Sequence, residues 1–328
     1  MKVLITDYPW PDTNIEAAIC KAAGHELVAG PSAVSAAAEI EALVAEHQPQ
    51  AIMCCWAPVS AKALQTPNDL RVVARLGVGL DNIAIDVATA RGAWVTNVPD
   101  YSVEEVSDHV IALLLAHWRG IVHFNAEVKS GRWEPATAKL TRTRDMTVGI
   151  VGYGRIGSLT ARKLATGFDT RVLVTSPSLM RDRRLGQEIA PGRFVATLDQ
   201  IAEQADAIAL HLPLTNESKH LVDDAFLRRC RRKPLLINVS RGALVHNAAL
   251  IRALDGGRLS GAALDVVDGE PTPPAELVSR SDVIMTPHIA FSSAASLAEL
   301  RTRCTDDVVR VLRGERPLHP CNSPATAR

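Results

Sequence analysis

Aromatic side chains make up only 4% of this 328-residue chain, although 47% of its residues are hydrophobic. A core must therefore be built mainly from Ala, Val, Leu and Ile, as buried parallel strands and their covering helices usually are. An excess of one charge is also missing, because 36 basic and 36 acidic residues cancel at pH 7. No global field recruits nucleic acid or an anionic membrane, so any anionic ligand must be held by local groups. The six cysteines, Cys20, Cys54, Cys55, Cys230, Cys304 and Cys321, show neither C-x-x-C spacing nor a disulfide framework, which suits reduced thiols. Cys54 and Cys55 read as buried strand-end residues. Long apolar runs are absent too: residues 110–116, between His109 and His117, are too few to span a bilayer. Residues 1–8 lack the apolar region of a signal peptide. The expectation is a cytoplasmic protein with no membrane segment, no nucleic-acid partner and no metal site.

The length suits two domains of ordinary size. Residues 3–6 read as a strand, 13–23 as a helix stopped by Gly24, 35–46 as a second helix from Ser35, and 51–54 as the next strand. Segments 70–74, 83–91 and 94–96 continue the alternation, as in an open parallel sheet. Two successive helical patterns, 103–119 and then one reaching Lys129, interrupt it and mark a domain boundary near residues 98–101. A second run of strands is predicted at 146–151, 171–174, 207–211, 235–239, 261–265 and 283–286. Their spacing of about 25 to 35 residues fits βα units. A helix over 293–312 precedes a tail that could pack back on the first domain. The fold class is α/β, with two doubly wound parallel sheets.

What is present is most informative after residue 146. Gly152-Tyr153-Gly154-Arg155-Ile156-Gly157 follows an apolar strand and opens a helical pattern, the context in which G-x-G-x-x-G binds a dinucleotide. Gly152 would make the tight turn, Gly154 would admit a pyrophosphate, and Gly157 would let helix pack on strand. The acid expected about 20 residues further on, to bond the ribose hydroxyls of NAD, is missing. The strand ends in Thr175-Ser176-Pro177 instead. Ser176 could bond a hydroxyl, and a 2′-phosphate would meet no repelling charge. Arg181, Arg183 and Arg184 could clamp that phosphate or form a solvated helix face, so NAD(H) and NADP(H) both stay open.

Three further motifs follow strands in order: Asn238-Val239-Ser240-Arg241-Gly242, Asp265 with Glu270-Pro271, and Thr286-Pro287-His288. Reducing a 2-keto acid requires a cation for its carboxylate, a proton donor for its carbonyl oxygen, and a group that keeps the donor protonated. Arg241 suits the first role, because guanidinium keeps its charge and binds in a fork. His288 suits the second and Glu270 the third, since a carboxylate stabilises imidazolium. Taken singly, each has a bland reading. Most of the ten histidines, His109 and His117 among them, read as surface or satisfied core residues. The ordered trio carries the inference, because ligands bind outside the carboxyl ends of such strands.

These motifs resemble the D-isomer-specific 2-hydroxyacid dehydrogenase family over nearly the full chain. The resemblance implies catalytic roles for Arg241, Glu270 and His288. It also implies a substrate-carboxylate loop at Leu76-Gly77-Val78-Gly79, with Trp56 and the segment around Phe291 near the substrate side chain. Cofactor contacts would come from Gly152, Gly154, Arg155, Ile156, Gly157, Thr175, Ser176, Val239 and Ser240, and from Val106. His211, Pro213 and Thr215 would lie beside the nicotinamide, and Asp265 would bond its carboxamide. The implied architecture is a flavodoxin-like substrate domain, 1–98 plus 291–328, and a Rossmann cofactor domain, 99–290, with the active site in the interdomain cleft. A homodimer through the helices after Val103 is implied as well.

Segments 7–12 and 97–106 are similar to the branch that includes the C-terminal-binding protein corepressors and phosphoglycerate dehydrogenase-like enzymes. The leading expectation is NAD(P)-dependent hydride transfer between a 2-keto acid and a D-2-hydroxy acid. Two alternatives stay open: the same chemistry on a phosphonate, phosphinate or phosphite, and a cofactor-sensing, protein-binding module.

Overall fold

The computed structural model describes residues 1–32 and 36–325. The chain divides into two compact units, Met1–Tyr101 with Ser293–Arg328, and Ser102–Ser292. Among the described residues, no helix is long and apolar enough to cross a membrane.

The first unit holds β1 (Lys2–Ile5), β2 (Glu26–Ala29), β3 (Ala51–Cys54), β4 (Val72–Arg75) and β5 (Trp94–Thr96) in the order β2-β1-β3-β4-β5. All pairings are parallel, and the order is the flavodoxin-like one. β3 and β4 are buried along their whole length, so they read as unbroken apolar runs ended by Cys54 and Arg75. Cys54 and Cys55 are buried as expected. β2 was not expected. It is an edge strand with both ends exposed, so it lacks the apolar signature of its neighbours. The second helix runs Ala37–His47; Ser35, its expected start, lies outside the described residues.

The last long helix, Ala294–Leu312, belongs to this unit. Arg301 on it is nearly buried and donates Nε and Nη2 to the two Glu16 oxygens at 2.8 Å each. Beyond the helix, Cys321 donates its amide to Val95 at 2.7 Å, and Asn322 Oδ1 accepts the Val95 amide at 2.8 Å. These bonds join the C-terminal segment to β5.

The second unit is a sheet of β6 (Thr147–Val151), β7 (Arg171–Thr175), β8 (Glu188–Ala190), β9 (Arg193–Val195), β10 (Ala207–Leu210), β11 (Leu235–Asn238), β12 (Gly261–Leu264) and β13 (Val283–Met285), ordered β13-β12-β11-β10-β6-β7-β9-β8. Only the β8 and β9 pair is antiparallel. These two short strands were not expected, because turn-forming Pro191 and Gly192 split the segment into three-residue pieces. Alternate residues of β6 feed opposite cores. Val148 and Ile150 pack with Val110, Leu114 and Leu164, while Val151 packs with Ile201, Leu210 and Leu264. The sheet is therefore covered on both faces, as parallel sheets require. Sheet order reverses between β6 and β10, which places a topological switch point at their carboxyl ends.

Candidate active site

The glycine fingerprint occupies the turn from β6 into the helix Arg155–Phe168. Gly152 has φ +102°, and a Cβ there would lie 2.2 Å from the His211 carbonyl oxygen; a Cβ on Gly157 would lie 2.0 Å from the Gly152 carbonyl oxygen. Both must be glycine for the turn to close. At Gly154 a Cβ would meet nothing within 4 Å, so the omitted side chain serves a space and not the packing. A pyrophosphate fits that cradle, facing the amino end of a fourteen-residue helix. Arg155 is exposed and Ile156 half-buried at the helix start.

Thr175 ends β7 and accepts the Gly152 amide through its carbonyl at 2.9 Å. Ser176 caps the next helix, its Oγ accepting the Leu179 amide at 3.3 Å and lying 3.0 Å from Ser178 Oγ. Arg181 ends that short helix, and Arg183 and Arg184 follow on the surface. On the other side of the switch point, His211 follows β10. Its Nε2 is shielded from solvent without a hydrogen-bond partner among the described residues, and burial pushes its pKa down to about 4. The imidazole is neutral near pH 7. Pro213 and Thr215 lie in the exposed turn beyond, where Ser218 Oγ donates to the Pro213 carbonyl at 2.7 Å and accepts the Thr215 amide at 2.8 Å. Val106 is buried in the helix Val103–Trp118.

Arg241 sits just beyond β11 on a turn shaped by its own motif. Buried Asn238 accepts the Ser240 amide at 3.1 Å and donates to the Arg241 carbonyl at 2.8 Å. Ser240 Oγ donates to the Leu210 carbonyl at 2.7 Å, tying the turn to β10. A Cβ on Gly242 would lie 2.1 Å from the Val267 carbonyl carbon, so the loops after β11 and β12 approach backbone to backbone. Val239 and Arg241 are half-buried, and Arg241 Nη1 donates to the Ser240 carbonyl at 2.7 Å.

Glu270 and His288 come together. Glu270 Oε1 lies 3.0 Å from His288 Nδ1, with the two side chains 39% and 25% exposed. A carboxylate only accepts, so Nδ1 carries the proton that faces Glu270. The dyad remains open enough for a small molecule to reach it. Phe291 stands edge-on to the imidazole, with centroids 6.2 Å apart. Arg241, Glu270 and His288 thus follow three strands adjacent in the sheet, β11, β12 and β13, all at their carboxyl ends.

Asp265 has a position that the motif alone did not reveal. It is 2% exposed, and its Oδ1 accepts the Thr286 hydroxyl at 2.6 Å and the Ile289 amide at 2.9 Å, while Oδ2 accepts the Ala290 amide at 2.9 Å. The carboxylate is largely committed to the turn that carries His288.

In the first unit the loop 76–79 follows β4. Gly77 donates its amide back to the Arg75 carbonyl at 2.9 Å, which leaves Val78 and Gly79 as the better-placed donors; Val78 is 41% exposed. Arg75 was missed by sequence reasoning. Its buried guanidinium lies beneath the loop, donating to the Leu76 carbonyl, and a Cβ on Gly77 would meet its Nη1 at 2.8 Å. The available signal was a lone charge at the end of the apolar run of β4. Trp56 is half-buried and its amide is held by Asp7 Oδ2 at 2.6 Å.

Residues 111–290 match the NAD binding domain of the D-isomer specific 2-hydroxyacid dehydrogenases. The chain belongs to that family. It is 36% identical over 272 residues to a glyoxylate reductase of Korarchaeum cryptofilum, covering 81% of this chain and 80% of the relative. An NADPH-dependent glyoxylate/hydroxypyruvate reductase of Sinorhizobium meliloti, solved with NADP and malonate, superposes with a TM-score of 0.83 at 29% identity, covering 100% of this chain and 98% of the other. D-Lactate dehydrogenase of Aquifex aeolicus, solved with NAD and lactic acid, gives 0.82 at 25% identity over 95% and 96% of the two chains. The family assignment makes the chain an NAD(P)-dependent oxidoreductase acting on 2-hydroxy and 2-keto acids.

Proposed function

We propose that the chain reduces a short 2-keto acid to the D-2-hydroxy acid, and catalyses the reverse oxidation, with His288 as proton donor and acceptor. The observation that carries this reading is the 3.0 Å contact between His288 Nδ1 and Glu270 Oε1, on the loops after β13 and β12, the two strands that follow in the sheet from β11, which presents Arg241. A nicotinamide, when bound, would supply the hydride for reduction of the carbonyl carbon and accept it in oxidation. Arg241 pairs with the substrate carboxylate and polarises the carbonyl. His288 Nε2 gives its proton to the carbonyl oxygen, while Glu270 holds the ring through Nδ1–H and stabilises its charge. In oxidation the neutral ring takes the hydroxyl proton back. The names of the glyoxylate reductases among its relatives support a short substrate.

NADP(H) as well as NAD(H) is assigned to the cofactor unit, because no carboxylate stands at Thr175 or Ser176 to repel a 2′-phosphate and three arginines follow. Gly152, Gly154, Arg155, Ile156 and Gly157 would hold the pyrophosphate. Val106, Val239, Ser240, His211, Pro213, Thr215 and Asp265 would line the ribose and nicotinamide. Ser176→Asp keeps the helix cap and should raise the preference for NADH over NADPH by about tenfold through charge repulsion. An unchanged ratio of the two kcat/KM values would place the phosphate elsewhere. A homodimer is assigned to the segment after Val103, where Ile121, Val128 and Trp133 are 60%, 47% and 78% exposed; sedimentation velocity tests it.

The decisive experiment is a panel of 2-keto acids followed by NAD(P)H absorbance. Turnover of a small member is expected. Tight dinucleotide binding without turnover of any member would sink the enzymatic reading. Neither the phosphorus-acid substrate nor the corepressor role gains a specific observation.

A further inference from the structure

His109 lies on the helix Val103–Trp118 and has no part in the reaction as described. Its Nε2 stands 3.0 Å from Thr286 Oγ1 and 3.7 Å from Asp265 Oδ1. The Thr286 hydroxyl must give its one hydrogen to Asp265, 2.6 Å away, because a carboxylate accepts only. The hydroxyl therefore has nothing left to donate to the imidazole. His109 Nε2 must carry a proton and point it at Thr286, giving a directed chain from His109 to Thr286 to Asp265.

The chain ends on the backbone that holds the proton donor. Asp265 accepts the Ile289 and Ala290 amides, and its carbonyl accepts the His288 amide at 2.9 Å. His288 itself has φ +53°, a left-handed conformation costly for a residue with a Cβ and kept only where the surroundings over-determine it. Asp265 supplies that constraint, bonding the turn on both sides of His288. Buried bonds in a series reinforce one another, so the partner at the far end matters.

We infer that His109 is a positioning residue for His288, acting through Thr286 and Asp265 to fix the turn that aims the imidazole. This rests on the reading of His288 as the proton donor. His109→Leu and Thr286→Val each break the chain, whereas His109→Gln keeps an N–H donor near the place of Nε2.

The test is hydrogen exchange read by mass spectrometry at the Ile289 and Ala290 amides in the full-length protein, alongside steady-state kinetics. In His109→Leu and Thr286→Val, exchange should quicken and kcat for keto-acid reduction should fall, each by about tenfold, with the dinucleotide KM within about twofold of the starting value. His109→Gln should recover most of both losses, and the double variant His109→Leu/Thr286→Val should be no worse than His109→Leu. Unchanged exchange, unchanged kcat despite faster exchange, failure of the glutamine to rescue, or additive losses would each overturn the inference. If His109→Leu does not fold, Thr286→Val and His109→Gln still decide it. A starting protein inert towards every keto acid would defeat the proposed function, while the exchange comparison would still show whether His109 holds the turn.

Discussion

The two units solve one problem with the same device in different strength. In the first, Asp7 follows β1 and is 1% exposed; it accepts the Cys55, Trp56 and Ala57 amides of the loop after β3, at 2.9, 2.6 and 2.9 Å, and the Thr6 hydroxyl. In the second, Asp265 follows β12 and accepts amides and a hydroxyl from the turn after β13. Each carboxylate stands at the end of a parallel strand and satisfies the backbone of the loop on its neighbour. Only the second is backed by an imidazole, and only its turn holds a residue with a side chain at positive φ, His288. The difference teaches that amide acceptance suffices to fix a loop in ordinary conformation, whereas a turn that aims a proton donor carries an additional support.

The comparison breaks most visibly at His288. His288→Ala should lower kcat by about 10²- to 10⁴-fold while leaving dinucleotide affinity near its original value; equal losses in both would move the proton donor elsewhere. The next largest effect concerns acid stability. Unfolding releases His211 to its ordinary pKa of 6.5, from about 4 in the fold, so below pH 6.5 the unfolded chain binds the proton more readily. Stability should therefore fall as pH drops from about 6.5 to 4, by up to about 3 kcal/mol from this group. Denaturation of His211→Gln across that range should show a flatter pH dependence, and an identical one would remove His211 as the cause.

The carboxylates themselves can be set against each other. Asp7→Asn and Asp265→Asn each turn an acceptor into a donor facing a backbone N–H, so each should destabilise by about 1–3 kcal/mol. Fluorescence titration with NADPH separates them: Asp7→Asn should bind as before, and Asp265→Asn should bind more weakly. Equal affinities would dissolve the contrast. The smallest effect expected is at Gly154, where a Cβ has room in the folded chain. Gly154→Ala should keep the melting temperature and weaken dinucleotide binding by about tenfold through the lost close approach; unaltered binding would contradict the cradle.

Much of this was legible because both sheets are parallel. Buried parallel strands are short apolar runs, so β3, β6, β10 and β11 stood out, while the half-exposed edge strands β2 and β8 did not. The glycine fingerprint and the motifs around Arg241, Glu270 and His288 were also legible, since each is local in sequence. Arg75, His109 and the clamping role of Asp265 were not.

The order of elements, the cofactor turn and the chemical types of the reacting side chains were thus determined by the sequence itself, because glycine geometry, apolar periodicity and the acid–base range of imidazole are properties of residues and their neighbours. Which histidine meets which carboxylate was decided only in the folded chain. The Glu270 contact spans 18 residues and the His109 to Thr286 contact 177, and hydrogen bonds over such separations exist only once the sheet has set its strands side by side.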